Sequence, residues 1–327
     1  MQVFTDARCL EHTAPRGYPE RPERLAAVLA HLRQRGHPLV EPAAGGGAGA
    51  GTDEPAPASR EAVLRLHAPE YVERFRRAVE RGDGLLDSAD NPLSAGTWRA
   101  AWGAVEATLA AADWVAAAPG RRAFAAVRPP GHHAERATAM GFCFFNNVAV
   151  AAEHLRARHG VARVAVFDFD VHHGNGTQHL FAARADVFYA STHQYPFYPG
   201  TGAASETGTG AGAGFTLNVP LPAGSGDGDL EAAIRGRVLP ALRRFAPEVL
   251  LLSAGFDAWQ ADPLGGLAVT ERGFADWGTW LAELAAEVAE GRVLAVLEGG
   301  YDLAHLPRLV EGHLTGLEGG PAGTPGA

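Results

Sequence analysis

The run Asp168-Phe169-Asp170-Val171-His172-His173-Gly174-Asn175-Gly176-Thr177-Gln178 decides how this chain is read. Before it, Arg163-Val164-Ala165-Val166-Phe167 is a short, β-branched apolar segment, the pattern of a buried strand. Side chains of an extended segment alternate faces, so Asp168, Asp170 and His172 are expected to point the same way. Two carboxylates and an imidazole at a strand end suit a divalent cation. Gly174 and Gly176 then let the chain turn sharply away. A solvated loop that happens to carry Asp and His is the plain alternative, and the rest of the chain decides between the two.

Downstream of Pro119-Gly120, strands and helices alternate regularly. Phe124 to Val127 reads as a strand entering Arg128-Pro129-Pro130-Gly131-His132-His133. Asn147 is placed to cap a helix closed by Gly160. Val187 to His193 and Phe215 to Val219 are strands, separated by a glycine-rich turn over 208–214. A helix from about Asp229 to Phe245 contains Pro240, which should kink or shorten it. Glu248 to Ser253 is a strand ending in Ala254-Gly255-Phe256-Asp257, and Thr270 caps an amphipathic helix carrying Phe274, Trp277, Leu281, Leu284 and Val288. Arg292 to Leu297 is the last strand and runs into Glu298-Gly299-Gly300-Tyr301.

Upstream, Val3-Phe4 opens a strand and Pro22 to Gly36 reads as a helix. Residues 60–81 look helical and divided at Pro69, loops fall at Asp83-Gly84 and Asp90-Asn91-Pro92, and a long helix runs from Gly96 to Ala118. Residues 43–59 are rich in Gly, Ala and Pro and read as a flexible insertion in a single domain spanning 1–327, with a frayed tail from Gly319. The alternation predicts an α/β fold with a parallel sheet covered on both faces. Ligands of such sheets bind beyond the carboxyl ends of the strands. Four predicted strands end there in polar sets: His132-His133, Asp168 to His172, Asp257 and Tyr301.

Composition narrows the function. With 46% apolar residues over 327 positions the chain can bury a sizeable core. A net charge of −9 argues against a nucleic-acid-binding face. Cys9 and Cys143 are too few for a disulfide framework, so a reducing cytoplasm is expected. No window has the length and apolarity of a membrane span.

Asp170, His172 and Asp257 would supply three ligands and leave one position open, the pattern of a catalytic zinc site. Ferrous iron or cobalt would also suit this oxygen-rich set. Adjacent residues rarely ligate one ion well, so His132 and His133 are better suited to proton transfer. Asp168 would hold one imidazole and Asn175 would orient the other. Tyr301, after two glycines, is placed to donate its phenol to a developing oxyanion.

Six stretches in order resemble the histone deacetylase family: Arg128 to His133, Gly141 to Asn147, Asp168 to Gln178, Tyr198 to Gly202, Ser253 to Asp257 and Glu298 to Tyr301. Pro22-Glu23-Arg24-Leu25 extends the match toward the start. The resemblance implies the three-layer arginase/deacetylase α/β fold with a central eight-stranded, mostly parallel sheet. It assigns the same three metal ligands, the tandem histidines and the oxyanion tyrosine. It further implies a structural K+ held by Asp168, by backbone oxygens of Asp170, His172 and Thr192, and by the Ser191 hydroxyl. Gly141, Phe142 and Tyr198 fall where the family lines an acyl-lysine tunnel. Asp90 lies in an Asp-x-Pro loop similar to one that binds the substrate backbone. Asn175 stands where class I members carry Asp, so the chain is class II-like. Arginases use an Asp-x-His-x-Asp run for two metals, whereas Asp168-x-Asp170-x-His172 lacks the carboxylates for a second.

The reading is a Zn2+-dependent deacetylase acting on an acetylated or short-chain acylated primary amine. Polyamine-selective relatives carry an acid seven residues after the last metal ligand, where this chain has Leu264, so acyl-lysine is favoured over acetylpolyamine. A non-catalytic acyl-lysine-binding module is the remote alternative, although no ligand and no tyrosine is lost. Family members often form dimers or tetramers, so a homo-oligomer is compatible with the resemblance.

Overall fold

In a computed structural model, which describes residues 1–41 and 54–319, the strands are β1 (Gln2–Phe4), β2 (Leu39–Val40), β3 (Leu85–Leu86), β4 (Ser88–Pro92), β5 (Arg122–Ala125), β6 (Val164–Asp168), β7 (Val187–Gln194), β8 (Thr216–Leu221), β9 (Val249–Ala254) and β10 (Val293–Leu297). The helices are α1 (Pro22–Gln34), α2 (Pro57–Leu64), α3 (Pro69–Arg81), α4 (Thr97–Ala116), α5 (Asn147–His159), α6 (Asn175–Phe181), α7 (Asp227–Ala233), α8 (Leu239–Phe245), α9 (Glu271–Val288) and α10 (Leu306–Leu317). Eight strands form one sheet in the order β2-β1-β5-β10-β9-β6-β7-β8, and every pairing in it is parallel, so the expected "mostly parallel" becomes wholly parallel.

The central strands are uniformly buried because helices cover both faces. Val164 to Asp168, Val249 to Ala254 and Val293 to Leu297 have no exposed position. The order places β5, β10, β9 and β6 side by side. These are the four strands that run into the polar sets.

Several local expectations change. Asp90-Asn91-Pro92 lies not in a loop but in β4, which pairs antiparallel with β3. Asn146, not Asn147, caps α5, because its side chain accepts the Ala149 N–H at 3.0 Å. Of the two effects expected of Pro240, a kink or a shortening, the outcome is a divided helix: a π turn over Ile234–Val238 joins α7 to α8 and places Pro240, which lacks an N–H, at the start of a short segment. Of the expected insertion, residues 43–53 lie outside the described residues, and Pro57 to Ser59 already belong to α2. The expected tail lies outside the described residues from 320 onward. The short β2, α6 and α10 carried no expectation from sequence.

Candidate active site

The β6 ladder stops at Asp168, so strand alternation does not extend to His172 as expected. The convergence survives for another reason. Asp168 Oδ1 accepts the Asp170 N–H at 3.2 Å, and Asp170 Oδ1 accepts the His172 N–H at 2.9 Å. These successive side-chain-to-backbone turns direct each second residue inward. Asp257, beyond β9, accepts the Val171 N–H on Oδ1 at 2.9 Å, which locks the two strand ends together.

Asp170, His172 and Asp257 form a buried group whose ligating atoms lie within 4.8 Å of one another. His172 Nδ1 is 3.1 Å from Asp170 Oδ1 and 3.2 Å from Asp257 Oδ2. Burial alone would keep His172 neutral, but the two carboxylates outweigh it and push its pKa up to about 10. Burial opposes ionisation of Asp170, yet His132 and His172 hold it well below the usual carboxylate range. Asp257 is raised by burial and by the Asp170 charge. The group therefore stabilises positive charge at its centre.

Asp257 Oδ2 is buried and receives no hydrogen bond among the described residues, which fits a metal ligand. A Cβ on Gly299 would collide with Asp257 Oδ2 and Asp170 Oδ2, and one on Gly255 would collide with Asp170 Oδ2. Glycine at these two positions lets backbone close around the carboxylates, and the Gly299 N–H donates to Asp170 Oδ2 at 2.8 Å.

The tandem histidines sit beside this group. Their ring centroids are 4.0 Å apart, His132 Nδ1 is 3.1 Å from Asp168 Oδ2, and His133 Nδ1 is 2.7 Å from Asn175 Oδ1. Tyr189 also donates its hydroxyl to Asp168 Oδ2 at 3.2 Å. Burial disfavours a charged His132, but Asp170 and Asp168 outweigh it and push its pKa up to about 10. His133 faces a neutral partner, so burial and the neighbouring His132 and His172 leave it well below the ordinary value.

Tyr301, Phe142, Tyr198, Leu264, Asp90, Gly141, His133 and His172 line one pocket of ≈ 210 Å³. Phe142 and Tyr301 meet edge to face at 5.9 Å, and Tyr198 stands edge-on to His133 at 5.2 Å. Asp90 Oδ2 accepts the Gly141 N–H at 3.0 Å and the Tyr198 hydroxyl at 2.8 Å, joining both walls. Burial raises the Tyr301 pKa well above 10, so the phenol remains a donor. Of the expected K+ residues, Asp168 pairs in register with Ser191 across β6 and β7, and Val171 O accepts the Gln194 N–H at 2.9 Å. The 168–172 loop thus runs beside Ser191 and Thr192, with the Ser191 hydroxyl 2.9 Å from His193 Nδ1.

Four supporting residues had no assigned role in the sequence reading. Glu298 Oε2 accepts the N–H groups of Gly131 (2.6 Å) and His132 (3.1 Å), and burial raises its pKa to about 7. Asp262 links the Tyr301 N–H (2.7 Å) to the Leu264 N–H (2.9 Å) through one carboxylate. Arg24 donates to Gly300 O and Glu298 O, both at 2.6 Å, with its guanidinium 4.6 Å from the Tyr301 ring centroid. Phe197 stacks on His172 at 5.4 Å. Glu298 had a signal, an acid directly after an apolar strand, as at Asp168. Asp262 and Phe197 had none.

Residues 18–317 match the family model of the histone deacetylase domain. The chain is 44% identical over 252 residues to the histone deacetylase-like amidohydrolase of Pseudomonas aeruginosa, covering 77% of this chain and 66% of that protein. It is 41% identical over 314 residues to the polyamine deacetylase HDAC10 of Homo sapiens, covering 93% of this chain and 45% of that one. The crystal structure of acetylpolyamine aminohydrolase from Burkholderia pseudomallei has a TM-score of 0.85 at 34% identity, covering 97% of this chain and 98% of that one. The chain thus spans just under two thirds of the first relative's length and less than half of the second's. With this match over most of its length, the chain belongs to the histone deacetylase family of metal-dependent hydrolytic deacetylases.

Proposed function

We propose that this deacetylase removes acetyl, or a similar short acyl group, from the amine of a lysine side chain. The observation that carries the reading is the pocket itself, where aromatic walls from Phe142 and Tyr198 lead to His133, His172 and Tyr301, with Leu264 on the lining. An extended aliphatic stem fits between two rings, and its acyl end reaches the polar group.

Asp170, His172 and Asp257 would hold Zn2+, which when bound lowers the pKa of water and polarises a carbonyl. The chain's own residues do the rest. His132, held protonated chiefly by Asp170 and then by Asp168, would lose the larger of these two influences in a site whose Asp170 charge is offset, and would then accept a proton from the attacking water. Asp168 keeps the Nδ1 proton of His132 in place. His133, whose Nδ1 proton is fixed by Asn175, takes up the proton drawn from water on Nε2 and passes it to the departing amine, so both rings return to their resting forms. Tyr301 donates its phenol to the oxyanion as it develops. A K+ beside Asp168, Asp170, His172, Ser191 and Thr192 would stiffen the loop that carries two of the metal ligands.

Asp90 Oδ1 also accepts the Ser88 hydroxyl, which leaves one lone pair on that oxygen to take a substrate backbone N–H. Both cysteines are buried and unpaired, which accords with a reducing cytoplasm. No helix among the described residues is long and apolar enough to cross a membrane.

A second reading, acetylpolyamine hydrolysis, is favoured by the likeness to acetylpolyamine aminohydrolase and to a polyamine deacetylase. Leu264 weighs against it, because an apolar residue offers nothing to a second ammonium. A panel of acetyl-lysine peptides, acetylputrescine and acetylspermidine run on the zinc-loaded protein separates the two. Higher kcat/KM on the peptides is expected; higher kcat/KM on the polyamines would replace the first reading with the second.

A further inference from the structure

A second set of ligating side chains lies well away from this pocket. Asp113 projects from α4, and its Oδ1 is 2.7 Å from His154 Nε2 and 2.6 Å from His159 Nε2, both on α5. The two rings are 5.6 Å apart at 69°. All three donor atoms lie within 4.8 Å of one another. α5 starts beside the catalytic loops at Asn147 and ends at His159, about 18 Å further along at 1.5 Å per residue. His159 also lines a shallow cavity with Glu248 and Arg292, the residues just before β9 and β10. The cluster therefore occupies the edge of the fold opposite the catalytic one, and no step of deacetylation uses it.

We propose that Asp113, His154 and His159 form a separate binding site for a divalent transition metal, of the zinc, copper or nickel class, that staples the end of α4 to the end of α5. Two imidazole nitrogens and one carboxylate oxygen select such ions over Mg2+ and Ca2+, which favour all-oxygen shells. One carboxylate oxygen faced by two Nε2 atoms is a ligand set drawn together with hydrogen-bond lengths. Ligands of tetrahedral zinc stand about 3.3 Å apart for bonds of about 2.0–2.1 Å. Each of the two Asp113–His edges must therefore open by about 0.6–0.7 Å. Asp113, whose side chain is 44% exposed, and His159, at the helix end, have room to move that far. The exposure also leaves a coordination position for water. Each ring then keeps its proton on Nδ1 and offers the Nε2 lone pair, releasing any Nε2 proton to solvent. Arg158 Nε lies 3.8 Å from Asp113 Oδ1 and is a competing cation.

Equilibrium dialysis against Zn2+, with metal counted per chain, tests the site. The readout is the difference between proteins, whatever the catalytic centre holds. His154→Ala/His159→Ala and Asp113→Ala are each expected to bind one ion fewer per chain than the wild type, with deacetylase turnover unchanged. Asp113→Ala removes an exposed side chain and keeps the test valid if the double variant folds poorly. Arg158→Ala is expected to keep the ion and bind it at least threefold more tightly. Equal metal content in the wild type and Asp113→Ala, or an Arg158→Ala variant that binds more weakly, overturns the proposal.

Discussion

Asn175 turns its Oδ1 to His133 Nδ1 at 2.7 Å because its Nδ2 is claimed by Glu135 Oε1 at 2.6 Å. Glu135 thereby settles which way the amide faces, and the amide makes His133 an Nδ1–H donor with Nε2 left for the substrate side. The two histidines thus have unlike partners, a neutral amide for His133 and the Asp168 carboxylate for His132. Asn175→Asp would put a negative charge at 2.7 Å from an imidazole now held well below its ordinary pKa. The charged form of His133 gains, so the pKa governing the pH dependence of kcat/KM should rise by about 1 unit. A profile that does not move would show that His133 does not titrate in the rate-limiting step.

Tyr301→Phe keeps the ring against Phe142 and beneath Arg24 and deletes only the donor. Loss of one oxyanion donor typically lowers kcat by about 10²–10³. The expected result is a loss of that order in kcat, little change in KM and an unaltered melting temperature. Wild-type turnover in this variant would contradict the role of the phenol.

Glu20 accepts from Arg128 Nε at 2.9 Å, from Arg128 Nη2 at 2.7 Å and from Arg24 Nη1 at 3.1 Å, all fully buried. Burial would raise its pKa, but Arg128 and Arg24 bring it down to about 2 from an ordinary 4.5. A depressed carboxyl contributes stability that is fully present above pH 4.5 and is lost as pH falls toward 2, on the order of 3 kcal/mol. Glu20→Ala leaves two guanidinium groups buried without their carboxylate and should cost about 3–5 kcal/mol at neutral pH. Urea denaturation at pH 7 and pH 3 checks both points: the variant should be the less stable at pH 7 and show a shallower decline at pH 3.

Leu264 lies on the pocket lining within a loop tied by Asp262 to the Tyr301 backbone. Leu264→Asp places a carboxylate where a second ammonium of a polyamine would pass. The ratio of kcat/KM for acetylspermidine to that for an acetyl-lysine peptide should rise about tenfold, or about 1.4 kcal/mol. An unchanged ratio would mean that Leu264 does not face the distal part of the substrate.

Local sequence signals mark the central strands. Val164 to Phe167, Val249 to Leu252 and Val293 to Leu297 are apolar runs with polar residues directly after them, and each is a buried strand. Local signals failed where neighbours decide. A two-residue β2 has no periodicity of its own and exists because Val3 and Phe4 offer it a partner. Neither capping asparagine is distinguishable by composition, and only the Asn146–Ala149 hydrogen bond selects one.

The sequence by itself determined where the polar residues proposed for the chemistry follow apolar strands, because such strand ends are marked by a short-range change from apolar to polar that needs no partner to be seen. Only the tertiary structure decided that β5, β10, β9 and β6 stand side by side, bringing His132, Tyr301, Asp257 and Asp170 together. Parallel neighbours are chosen by how the crossover helices pack, and that choice leaves no mark in the residues of the strand itself. The tertiary structure also decided which carboxylates carry charge, since burial and the distance to Arg or His set each pKa. That is why Glu20 is driven down to about 2 while Glu298 and Asp262 are raised to about 7.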